Sequence, residues 1–83
     1  MTLDELNQAR NKVVGTRQTT KALDNGSALV VFIAKDADGK VTVPIIQSCS
    51  HKGIEIIYVD SMEQLGKACN IKVGAAVAAI ISR

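Results

Sequence analysis

The stretch Leu29 to Ala34, LVVFIA, is apolar at every position and rich in β-branched residues. A strand alternates its side chains between two faces, so a run with no polar member must be covered on both. It predicts a central strand with structure packed above and below. The chain has 83 residues, and a chain of that size buries only roughly 60 to 65% of its unfolded surface. One core and one domain over 1–83 is the expectation. The residues are 47% hydrophobic, chiefly Val, Ile, Ala and Leu, with Phe32 and Tyr58 as the aromatics. The core is thus aliphatic, and a set of aromatic platforms for stacking bases is absent.

Around the central run, helix and strand signals alternate at short intervals. Thr2 and Glu5 have capping-box spacing, predicting a helix from about Leu3 to Arg10. Val13 and Val14 form a short apolar pair ending at Gly15. Thr16 is then placed to N-cap a helix running to about Asn25 and closed by Gly26, with a thin apolar face of Ala22 and Leu23. Asp36 to Lys40 is a polar loop. Thr42 or Asp38 caps the next helix, in which Pro44 is expected in the first turn, and Gly53 supplies a left-handed end. Ile54 to Val59 reads as a strand. Ser61 and Gln64 repeat the capping-box spacing before a helix to about Cys69, with Asn70 tolerating a left-handed exit. Propensity does not separate helix from strand for Gly74 to Ile81, but the alternation of elements favours a closing strand. Four strands separated by helices imply an α/β fold: a three-layer α/β/α sandwich with a four-stranded mixed sheet.

Most reactive chemistry is disfavoured. Cys49 and His51 lie two residues apart on a helix, where side chains diverge, so a Cys/His catalytic pair is not expected. Cys49 reads as core and His51 as a solvated helix end. One His and two distant Cys, Cys49 and Cys69, lack the ligand spacing of structural zinc, and no phosphate-cradling glycine motif is present. Asp36 and Asp38 read as turn and cap residues. No enzyme activity, cofactor or metal is expected. The cysteines read as reduced thiols, the first residues lack the apolar stretch of a secretion signal, and no apolar run approaches the ~20 residues that span a bilayer. A soluble cytoplasmic protein with no membrane association follows as an expectation. Ten Lys and Arg against eight Asp and Glu leave a net charge of +2, compatible with nucleic acid without demonstrating it.

The segment Gly15, Thr16, Arg17, Gln18, Thr19, Thr20, Lys21 is polar where a helix should show its core face. Free backbone N–H groups and the positive end of the helix dipole beside Arg17, Gln18 and Lys21 would attract phosphates and base edges. Gln18 both donates and accepts, whereas Lys21 supplies charge. Taken alone, the segment reads first as an ordinary capped, solvated helix.

A second segment, LGKACNIKVGAAVAAI from Leu65 to Ile80, adds to it. With GTRQTTK and VVFIAKDAD it resembles the kink-turn-binding ribosomal protein family, the L-seven-Ae and L-thirty-e superfamily. Within that family it is most similar to the small bacterial YbxF-like members. The likeness runs in order from about Ala9 to Ile81. It implies an α/β/α sandwich that binds structured RNA containing a kink-turn, in ribosomal RNA or a riboswitch-like element, with the ribosome as a partner and the chain as a monomer.

The family's site combines the start of the second helix with the loop before the last strand. Its Gly-x-Asn-Glu-x-x-Lys pattern falls on Gly15, Arg17, Gln18 and Lys21, with Gly15 and Thr16 at the turn where RNA approaches the backbone. Arg17 and Gln18 depart from the common Asn and Glu and are similar to the Lys-Gln of bacterial relatives. An amide in place of a carboxylate weakens hydrogen bonds to guanine N–H groups, because charge-assisted bonds are about twice as strong; Arg17 would offset this through phosphate. In the loop, Ile71 and Val73 would pack against extruded bases with Lys72 near phosphate, although without the resemblance both apolar residues would be assigned to the core. Lys35 would reach the same groove and Lys67 would add to its field. The competing reading is a ribosome-associated protein-interaction module, docking a partner through a sheet edge or the last strand.

Overall fold

The computed structural model describes residues 3–82. Within them run α1 (Leu3–Gln8), β1 (Lys12–Val14), α2 (Thr16–Asp24), β2 (Ala28–Ala34), α3 (Gly39–Lys52), β3 (Glu55–Val59), α4 (Met62–Ala68) and β4 (Val77–Ile81). The strands form one four-stranded mixed sheet in the order β1-β4-β2-β3. β2 and β3 are parallel, with Val30 opposite Glu55 and Ala34 opposite Val59, while β4 is antiparallel to both β1 and β2. A parallel pair needs a crossover, and α3 supplies it.

The unbroken apolar run of β2 is explained by its two covered faces. Val30, Phe32 and Ala34 pack with Leu6 of α1 and Leu65 and Ala68 of α4. Val31 and Ile33 point the other way, into a cluster with Ala22 and Leu23 of α2 and Ile45 and Cys49 of α3. The expected α/β/α sandwich is therefore the observed fold. The closing segment is a strand because it pairs on both sides: Ala79 stands opposite Val13 and also opposite Val31. Its Ala78 and Ala79 are fully buried.

Several local expectations shift. Leu29, included in the buried run, is 52% exposed. The β2–β4 register shifts between Ala28 and Val30, and this irregularity turns Leu29 out of the sheet. The first helix ends at Gln8 rather than Arg10, where the Lys12 ammonium donates to the carbonyls of Leu6 (3.1 Å) and Asn7 (3.0 Å). Its expected cap, Thr2, lies outside the described residues.

Of the two candidate caps for α3, Asp38 takes the role, accepting from the Lys40 N–H at 2.9 Å. Pro44 consequently lies beyond the first turn, inside the helix, where it removes the donor that would have reached the Lys40 carbonyl. Gly53 closes α3 in the left-handed region at φ 70°, and Asn70 follows α4 at φ 62°, both as expected. Ser61 caps α4 by accepting from the Gln64 N–H at 3.1 Å.

Candidate nucleic-acid interface

At one end of the sheet, the residues following β1 and β2 meet the residues leading into β4. The Gly15 N–H donates to the Val77 carbonyl at 2.9 Å, and the Ala34 N–H donates to the Ala76 carbonyl at 2.9 Å. Immediately after β2, the Lys35 N–H donates to the Val59 carbonyl at 2.8 Å. The start of α2, Lys35 and the loop 70–76 are thereby held at the same end of the molecule, although up to about sixty residues of sequence separate them.

Gly15 occupies the N-cap of α2 at φ 96°, a conformation that L side chains rarely adopt. Thr16, assigned above as the cap, is instead the first helical residue. The Gly15–Val77 bond and the positive φ place the turn one residue earlier than side-chain preference alone predicts. No side chain caps this helix, so its first-turn N–H groups face outward without an intrahelical acceptor. Thr16, Arg17, Gln18 and Lys21 are all exposed. Lys21 lies one turn beyond Arg17 and Gln18 and shares their face. Gln18 and Lys21 also line a shallow depression with Val13, Ala22, Asn25, Ser27 and Ile81, a feature that sequence spacing does not reveal. A larger depression, between Leu23, Gly26, Ala28, Lys52 and Ile54, lies where α2 ends and β2 begins, away from the converging loops.

Thr19 departs from its polar neighbours. It is fully buried, and its hydroxyl has no hydrogen-bond partner among the described residues. An unpaired buried hydroxyl costs about 1–3 kcal/mol of desolvation. Thr19→Val, of similar shape, is expected to raise stability by about 1 kcal/mol in urea titration. A loss of stability would show that the hydroxyl is satisfied.

In the loop, the two apolar residues diverge. Val73 is 70% exposed, contrary to a core assignment. Ile71 is half-buried and packs against the cluster around Phe32, so it anchors the loop from beneath while the exposed Lys72 and Val73 form the tip. Lys35 is exposed and lies 3.4 Å from the Asp60 carboxylate. An ion pair this open to water is worth less than about 1 kcal/mol, which leaves Lys35 able to exchange Asp60 for a phosphate. Lys67 pairs with Glu63 one turn earlier in α4 at 3.9 Å.

Asp36, expected as a turn residue, also accepts from the Met62 N–H at 2.8 Å and so caps α4 from a distant loop. Cys49 is fully buried, and burial pushes its thiol pKa up, which disfavours the nucleophilic thiolate. Cys69 is raised by burial as well, with Lys12 opposing. His51 is exposed in the last turn of α3. Among the described residues no group of three His, Cys, Asp or Glu side chains is placed to hold a metal ion, and no helix is long and apolar enough to cross a membrane.

Comparison with known proteins gives consistent results. The sequence profile of the Ribosomal protein L7Ae/L30e/S12e/Gadd45 family matches residues 1–83. An RNA-binding protein of Bacillus pumilus is 46% identical over 81 residues, covering 98% of this chain and 99% of the relative. RNA-binding protein YbxF of Geobacillus stearothermophilus is 41% identical over 81 residues, with the same coverage of 98% and 99%. Among solved structures, the Giardia lamblia 15.5kD RNA binding protein superposes with a TM-score of 0.85 at 28% identity, covering 98% of this chain and 68% of that one. With the profile match spanning its whole length, the chain belongs to the Ribosomal protein L7Ae/L30e/S12e/Gadd45 family.

Proposed function

We propose that this protein binds RNA through the start of α2 and the 71–73 loop, recognising and stabilising kink-turns without catalysing a reaction. It acts as a cytoplasmic, ribosome-associated monomer folded as one domain. The observation that carries the reading is the Gly15–Val77 hydrogen bond, which joins the uncapped, basic helix start to the strand that the apolar loop enters. Relatives named as RNA-binding proteins over nearly the full chain support it.

Each part of the cradle has a physical task. Outward N–H groups at Thr16, Arg17 and Gln18, with the helix dipole, favour phosphate. The amide of Gln18 reads the edge of an unstacked purine, and Lys21, Lys35 and Lys72 supply charge. The exposed Val73 offers an apolar surface to a base that has left the stack. A sharply bent RNA is disfavoured by lost stacking and crowded phosphates, so a protein that fits only the bent form shifts the population toward it.

Gel-shift titrations of a kink-turn RNA and a plain duplex of equal length, across a range of salt, test the reading. Lys21→Ala is expected to weaken both by about tenfold, roughly 1.4 kcal/mol. It should also reduce the slope of log affinity against log salt by about 0.7–0.9, the value for one lost phosphate contact. Equal wild-type affinity for the two RNAs removes the kink-turn reading.

A further inference from the structure

Helix α4 meets the loop before β4 through backbone as well as through the packing of Ile71 into the core. At the start of the helix, the Met62 carbonyl accepts from the Ala75 N–H at 3.0 Å. One turn on, the Gly66 carbonyl accepts from the Ile71 N–H at 3.1 Å. Between these two ties the Val73 carbonyl lies directly against Gly66. A Cβ on Gly66 would overlap the Val73 carbonyl oxygen and stand 3.1 Å from the Val73 carbonyl carbon and 3.2 Å from the Gly74 Cα. All three atoms are backbone, so a methyl is admitted only if the loop moves.

The occurrence of glycine here is itself informative. Gly66 is buried inside α4, where glycine destabilises a helix by roughly 0.5–1 kcal/mol relative to alanine. Close approach of the loop backbone explains its presence. Lys72, Val73 and Gly74 are all exposed, so beyond the anchor of Ile71 the tip is held by these backbone contacts. The start of the same helix is also fixed by Asp36, next to Lys35, through the bond to the Met62 N–H. α4 is therefore a common support for the loop tip and for the Lys35 side of the cradle.

We infer that Gly66 is a positioning residue for the RNA site. By lacking a side chain it seats the Val73 carbonyl on α4 and so sets where Lys72 and Val73 stand relative to the first turn of α2. The inference rests on the RNA-binding reading above. Its physical content is preorganisation: a tip already in its bound position loses little entropy on binding, whereas a displaced tip must be rebuilt or contributes nothing.

A double-mutant cycle tests it, with dissociation constants measured for a kink-turn RNA and a duplex, and folding checked by circular dichroism. Gly66→Ala is expected to weaken kink-turn binding by about tenfold or more. Val73→Ala should weaken binding in the wild-type background and cost nothing further beside Gly66→Ala, because the displaced tip no longer uses Val73. Lys21→Ala, on the other element, should remain additive with Gly66→Ala, which general destabilisation would not produce selectively. Wild-type affinity in Gly66→Ala, or full additivity with Val73→Ala, overturns the inference.

If Gly66→Ala does not fold, Gly74→Ala presses on the same seam more gently, since its Cβ would stand 3.1 Å from the Met62 Cβ. A loss of about two- to fivefold, again non-additive with Val73→Ala, is then expected, and unchanged affinity overturns the inference. A wild type that prefers the kink-turn while Gly66→Ala and Gly74→Ala bind equally well removes only the role of Gly66. A wild type with no preference removes the functional reading itself.

Discussion

Phe32→Ala is expected to lose about 3–5 kcal/mol of folding stability, the range for truncating a buried aromatic. Against roughly 4–12 kcal/mol for a chain of this length, that is a quarter or more of the total, and at the lower end it leaves a large unfolded fraction. Phe32 is fully buried at the middle of β2, where it stands opposite Ile57 and Ala78 and packs with Leu6 and Leu65. Its surroundings include Ala34, Ala68, Ala75 and Ala78, side chains too short to swing into the space a missing ring would leave. The other aromatic, Tyr58, is 51% exposed and contributes no ring to this core. The cavity therefore stays open, which places the variant toward the upper part of the range. Equilibrium urea unfolding measures it, and a loss below about 1 kcal/mol would show that the layers collapse around the gap.

Gln18→Ala is expected to remove most of the preference for a kink-turn over a duplex, about 1–3 kcal/mol or roughly 5- to 150-fold, while duplex affinity stays the same. Gln18 is exposed on the first turn of α2, beside the outward N–H groups. An amide there contributes hydrogen bonds to a base edge but no charge, so its loss should leave the salt dependence intact, in contrast to Lys21→Ala. Gln18→Glu, which restores the carboxylate common in the family, is expected to raise the preference by strengthening bonds to guanine N–H groups. Parallel titrations of both RNAs decide the matter. A Gln18→Ala variant that loses affinity for both RNAs equally would assign Gln18 to the phosphates and not to the bases.

The elements that were legible beforehand share one property: their determinants lie within about four residues of each other. The Ser61 cap, the Asp38 cap, the left-handed exits at Gly53 and Asn70, and the two-sided burial of Val30 to Ala34 all follow from local backbone chemistry or strand alternation. The site was legible only in part. Its residues follow from a family likeness, and their convergence depends on the Gly15–Val77 and Ala34–Ala76 bonds, which no local rule specifies.

Where local reasoning failed, a distant partner had intervened. Thr16 was displaced from the cap by Gly15, whose N–H is tied to β4; Leu29 was turned outward by a register shift against β4; and Asp36 caps a helix that begins twenty-six residues later. Ile71 and Val73, two aliphatic residues in one loop, are chemically near-equivalent in sequence, yet α4 and the Phe32 cluster cover one and leave the other open.

By itself, the sequence determined the order of helices and strands up to Cys69, several of their caps, and that the central strand is covered twice, because those preferences arise from neighbouring backbone groups and side-chain periodicity. Only the tertiary structure decided that the closing segment is a strand and that it starts at Val77, which aliphatic tip residue meets solvent, and why α4 contains a glycine. Burial and steric exclusion are properties of the surfaces brought together: β1 meets β4 from the far end of the chain, and the loop backbone at Val73 folds back onto Gly66.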